Sequence, residues 1–164
     1  MNYKSLQNIY NDFNTAVSNT SGLNELYMFD ESEINKINNY NYPVCIIEPP
    51  NSKVSDINRA YEEYELVCFI LKPESRTHSD YHSLSLYDDC MSLFHTMMNK
   101  ILATRDGEYI LNEDSLQVER LTKFGADLNK GVKVTLTLLA PSSLGFSAAS
   151  EPITLPYESN LKAF

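Results

Sequence analysis

From Gly131 to Pro141 the chain reads GVKVTLTLLAP, with Val132, Val134, Leu136 and Leu138 alternating against Lys133, Thr135 and Thr137. Alternation with period two makes a β-strand with one dry face and one wetter face. Such a strand cannot stand alone. Its apolar side needs a cover, and the rest of the sequence must supply both that cover and strand partners.

Two stretches offer the cover. Tyr3, Leu6, Ile9, Tyr10, Phe13 and Val17 recur at spacings of three and four, which places them on one helical face over roughly 3–17. A second helix is expected over about 86–103, with Leu86, Cys90, Leu93, Phe94, Met97, Met98 and Ile101 on one stripe, Ser85 as N-cap and a turn at Arg105, Asp106 and Gly107. Three further stretches read as strands. Val44–Ile47, between Pro43 and the Pro49-Pro50 pair, is a continuous apolar run suited to burial on both faces. In Tyr61–Leu71 the even positions Tyr64, Leu66, Cys68 and Ile70 are apolar, while the odd ones pass from Glu63 and Glu65 to Val67, Phe69 and Leu71. One side is core; the other starts wet and ends dry, and the dry half must meet another part of the chain or a neighbouring subunit. Shorter strands are expected at Tyr109–Leu111 and Ser115–Leu121, the latter pairing with Val132–Leu139. Ser18–Tyr42, rich in Asn, Ser and Glu, reads as a long connection with one helical turn near Glu31–Ile37.

The order helix, strands, helix, strands predicts an α+β fold: a mostly antiparallel sheet with two main helices packed on one face. A length of 164 residues suits one hydrophobic core, and the expected division is a core domain at 1–140 followed by an extended C-terminal arm at 141–164. No apolar run approaches the length of a transmembrane helix, and the polar start MNYKSLQNIYNDF lacks the apolar segment of a secretory signal, so synthesis in the cytoplasm is expected. Cys45, Cys68 and Cys90 all sit in apolar runs, where a thiol behaves as a small hydrophobe.

The sequence carries no catalytic signature: no nucleophile elbow, no glycine-rich phosphate loop, and carboxylate pairs (Glu62-Glu63, Asp88-Asp89) whose members diverge on either a strand or a helix. His78 and His82 stand four apart near Asp80, with Cys90 and His95 further on, but no HExxH pattern accompanies them. Solvated loop histidines and a packed stripe explain this group better than a metal site. No catalytic residue, cofactor or metal is assigned. A net charge of −9 argues against a sequence-independent grip on nucleic acid, although an acidic wall lets DNA pass without adhering.

The arm raises a different question. It carries Leu144, Phe146, Ile153, Leu155, Tyr157, Leu161 and Phe164, with Pro141, Pro152 and Pro156 biasing it toward extended conformations. Burying those side chains returns less than fixing two dozen backbones costs, so an ordered arm needs main-chain pairing along a sheet edge or on another subunit. The residues singled out for subunit contacts are Val67, Phe69 and Leu71 on the dry half of the Tyr61–Leu71 strand, and Leu144, Phe146, Ile153, Leu155 and Tyr157 on the arm.

The succession of the amphipathic N-terminal helix, YPVCIIEPP, YELVCFILKP, LYDDCMSLFHTMMNKILATR and VERLTKFGADLNKGVKVTLTLLAP resembles the small tail-terminator and neck-completion proteins of tailed bacteriophages. It extends over roughly residues 3–141 and includes a closing strand of the G-V-x-V-x-L-x-L-x-x-P type. The resemblance implies a non-enzymatic virion protein that forms a sixfold or twelvefold ring at the head–tail junction or the tail end. It also implies other neck and tail proteins as partners and DNA passing through the lumen without specific binding. The rival readings are a cytosolic regulatory or small-ligand-binding α+β domain and, further off, a metal-dependent enzyme centred on His78 and His82.

Overall fold

The computed structural model describes residues 5–34, 40–54, 61–73, 80–103, 108–124 and 129–141. In chain order the elements are α1 (Leu6–Ser18), β1 (Glu25–Met28), α2 (Glu31–Ile34), β2 (Val44–Ile47), β3 (Asn51–Val54), β4 (Tyr61–Lys72), α3 (Asp80–Ala103), β5 (Ile110–Phe124) and β6 (Asn129–Pro141). The strands form one sheet in the order β1-β2-β4-β6-β5, with β3 paired to the first half of β4. Every pairing is antiparallel except β1 with β2. The fold is α+β, as the element order predicts.

The alternating strand lies inside the sheet. β6 pairs without interruption with β4, from Tyr61 opposite Pro141 to Lys72 opposite Lys130. That register puts Val132, Val134, Leu136 and Leu138 on the same side as Tyr64, Leu66, Cys68 and Ile70. All eight are buried beneath α1 and α3. From α1 come Ile9, Phe13, Ala16 and Val17; from α3 come Cys90, Phe94, Met97, Met98 and Ile101. Ser5 caps α1 by accepting the Asn8 amide at 3.2 Å. Two polar contacts tie this helix down: Tyr109 donates its hydroxyl to Asp12 at 2.7 Å, and the Lys100 ammonium donates to the Asn19 carbonyl beyond its last turn.

Four local expectations change. Leu6, in the first turn of α1, is 48 % exposed and leaves the buried stripe to begin at Ile9. α3 starts at Asp80, so Ser85 lies inside the helix instead of capping it. The long connection contains β1, a four-residue edge strand with only Leu26 buried. The two short strands after α3 are one strand, β5, whose register shifts between Asn112 and Gln117. The polar run Asn112-Glu113-Asp114, which separates the two expected strands, is absorbed as a bulge. There the Ser115 hydroxyl accepts the Thr137 amide at 2.7 Å and donates to the Asn112 carbonyl at 2.6 Å. The predicted turn at 105–107 lies outside the described residues.

The second face of the sheet is covered over one end. Val44 and Ile46 of β2, Phe69 and Leu71 of β4 and Leu121 of β5 pack there with Ile34 of α2 and with Tyr40. This explains why β2 is dry on both sides.

Candidate assembly surface

The dry half of β4 meets its own chain. Phe69 and Leu71 are both 0 % exposed inside the second-face cluster, and Val67 is half-buried at its margin. Phe69 and Leu71 therefore cannot touch a neighbouring subunit without the cluster opening. Around them lies an aromatic group. Tyr40 sits edge-on to Tyr27 and Tyr42, with ring centroids 5.2 and 5.7 Å away, and stacks on Phe29. The Tyr40 hydroxyl donates to the Ile34 carbonyl at 3.0 Å, which holds the end of α2. Lys133 reaches over the Phe69 ring, 5.5 Å from its centroid, and pairs with Glu31 at 2.9 Å. That hydrogen bond with Glu31 raises the Lys133 pKa, against the opposing effect of burial.

The other end of the second face is different. Among the described residues no helix packs over Tyr61 and Glu63 of β4, Thr137 and Leu139 of β6, or Ile110 and Asn112 of β5. Two recesses lie there. One, of about 350 Å³, runs between the polar residues Ser52, Lys53, Glu63, Glu65 and Thr137. The Lys53–Glu63 pair, at 3.1 Å, crosses it where β3 meets β4. The other is a mostly apolar groove of about 500 Å³ lined by Tyr61, Glu63, Ile110, Asn112, Asp114 and Leu139. Ile110 is 47 % exposed in its wall. β5 is the outermost strand on this side of the sheet and also exposes Val118. Pro141, the last described residue, stands opposite Tyr61 at the groove's rim.

The arm residues Leu144, Phe146, Ile153, Leu155 and Tyr157 lie outside the described residues. So does His78, and of His82 only its helical backbone is described. His95 is exposed on α3, its ring edge against Phe94. Among the described residues no three His, Cys, Asp or Glu side chains converge as metal ligands. Glu62 and Glu63 do point to opposite faces. Glu62 is buried on the helix side, where its carboxylate accepts the Tyr64 hydroxyl at 2.6 Å. Asp89 pairs with Lys72 at 3.0 Å beside a recess of about 280 Å³ between Tyr42, Pro43, Leu86 and Lys72.

The three thiols are buried, as their apolar runs predict. Cys45 and Cys68 lie with their Sγ atoms 3.6 Å apart, and Cys45 is 3.7 Å from the Met97 sulfur. Hydrogen bonding to Cys68, then burial, raises the Cys45 pKa well above the ordinary thiol value. Burial pushes Cys90 up to about 11, with nearby Lys72 lowering and Asp89 raising it. Neutral, enclosed thiols are packing groups and poor nucleophiles.

No family model matches the chain, and no curated protein matches its sequence. Among the described residues no helix is long and apolar enough to cross a membrane.

Proposed function

We propose that this protein is a structural subunit that assembles into a closed ring in a tailed-phage particle, at the head–tail junction or the tail end. The observation that carries the reading is the half-covered second face: an apolar groove with exposed Ile110 and half-buried Leu139 in its wall, at the point where some two dozen residues rich in large apolar side chains begin. A donor segment and an acceptor groove are different surfaces, so contacts between copies are heterologous, and heterologous contacts close into rings when the rotation per subunit allows.

Charge supports the second half of the reading. A ring of subunits carrying −9 each surrounds its channel with negative potential, and DNA slides through such a channel without sticking. The sixfold or twelvefold symmetry rests on the resemblance to tail-terminator and neck proteins.

Negative-stain electron microscopy of the purified full-length chain tests this directly. Rings with an open centre are the expected image. A field of single, uniformly small particles at micromolar concentration favours the rival regulatory or small-ligand domain, for which the recess beside Lys72 and Asp89 is the first place to look.

A further inference from the structure

We propose that the groove between Tyr61, Ile110 and Leu139 is the acceptor for Leu144 and Phe146 of a second copy, and that this exchange is the joint between neighbouring subunits. The inference rests on the ring reading above and supplies its contact.

The groove has an occupant-shaped chemistry. Its wall is mostly apolar, its volume of about 500 Å³ suits large side chains, and Glu63, Asn112 and Asp114 line it beside the apolar Ile110, Leu111 and Leu139. The acidic groups in the lining disfavour a nucleic acid or an acidic ligand and leave an apolar segment as the fitting guest. Leu144 and Phe146 are the first large apolar residues after Pro141. Two residues apart, they fall on the same side of an extended segment, so both can enter one groove while the intervening Gly145 faces away.

Geometry favours a neighbour's groove over the chain's own. β6 runs toward the Tyr61 end of the sheet, so Leu139 lies behind the exit point at Pro141. A segment that continues extended carries Phe146 about 16 Å beyond Pro141, at roughly 3.3 Å per residue. Doubling back into its own groove requires a reversal within the first few residues after Pro141. Pro141 favours the extended course where the segment leaves the sheet. β5, the outer strand beside the groove, has no further strand paired on its other side among the described residues, and an incoming main chain can pair there, which helps offset the cost of ordering it.

The test uses full-length chains throughout. Ile110→Glu places a charge in the acceptor groove; Leu144→Asp/Phe146→Asp does the same on the donor segment. Native mass spectrometry and light scattering read the outcome. Each variant alone is expected to run as a single chain while the wild type assembles. An equimolar mixture is expected to give a two-chain species and nothing larger, because one intact donor and one intact acceptor remain. Circular dichroism melts confirm folding, and Ile110→Ser serves as the milder groove variant if the charge perturbs the fold.

Three results overturn the proposal. If the groove variant assembles like the wild type, the groove is not the joint, although the ring reading survives. If the donor variant assembles, the contact is another surface, such as β5 against β5. If both variants are single chains and the mixture stays so, the segment fills its own chain's groove. A wild type that is itself a single chain defeats the ring reading outright, a result distinct from the other three.

Discussion

A β-carbon added at Gly131 would sit 2.0 Å from the Ile70 carbonyl oxygen and 3.0 Å from a Leu71 methyl. The glycine lies between β4 and β5, opposite Leu71 on one side and Leu121 on the other, where neither neighbour can yield without breaking ladder pairing. Gly131→Ala should therefore destabilise the fold by about 3 kcal/mol or more, read as a lower urea midpoint. Titration gives a second prediction at this scale. The resolved shifts of Tyr27, Cys45, Cys90 and Lys133 are all upward. A group whose pKa is higher in the folded state holds its proton after the unfolded chain has released it, so stability is full below the unfolded value and falls above it. For Cys90 that window runs from the ordinary 9.0 to about 11. The thermal midpoint should fall across this range and fall less steeply in Cys90→Ala than in the wild type, once each is referenced to its own value at pH 7. A midpoint flat to pH 11 would contradict the buried-thiol account. The residues themselves announced much of this: each cysteine sits in an apolar run, and each is buried. What single residues could not announce was Glu62, since a carboxylate looks solvated until the Tyr64 hydroxyl beside it is known.

β5 shows best what an element needs beyond its own pattern. Its sequence breaks after Leu111, yet the strand continues because the Ser115 hydroxyl bridges Asn112 and Thr137 across the bulge. Ser115→Ala leaves the half-buried Thr137 amide without that partner and should cost about 1 to 2 kcal/mol, with hydrogen exchange at Thr137 accelerated in step. β4, β6, α1 and α3 were legible because each carries a long run of one period. β1 and β3 were not: ELYM and NSKV are four residues each, with one buried residue in the first and a polar surface on the second, and each forms by pairing with a neighbour, β1 with β2 and β3 with the longer β4. β4 was legible in pattern and illegible in consequence. Its dry half was plain in the sequence, but the cover of Phe69 and Leu71 came from Ile34 and Tyr40, in a stretch whose polar composition reads as loop. The groove was missed for the opposite reason. Ile110 and Leu139 are ordinary strand residues, and only the register that sets them opposite each other, with no helix above among the described residues, makes them a site.

At the scale of the molecule, one face of the sheet is sealed by α1 and α3, and the other, among the described residues, is sealed over one end only. The unsealed end coincides with the exit of the C-terminal segment, and that coincidence is the basis of the assembly reading. Subunits with a charge of −9 repel one another, so assembly should respond to salt. Raising ionic strength from 0.01 to 0.15 M shortens the screening length from about 30 to about 8 Å and should lower the concentration at which rings form. Joints held mainly by ion pairs would weaken instead. The most direct measurement is the mass of the full-length chain in solution, taken by sedimentation velocity over a dilution series. The account predicts a single closed species at six or twelve times the subunit mass of 18.7 kDa, persisting into the low micromolar range. A particle of one subunit mass at every concentration would contradict it.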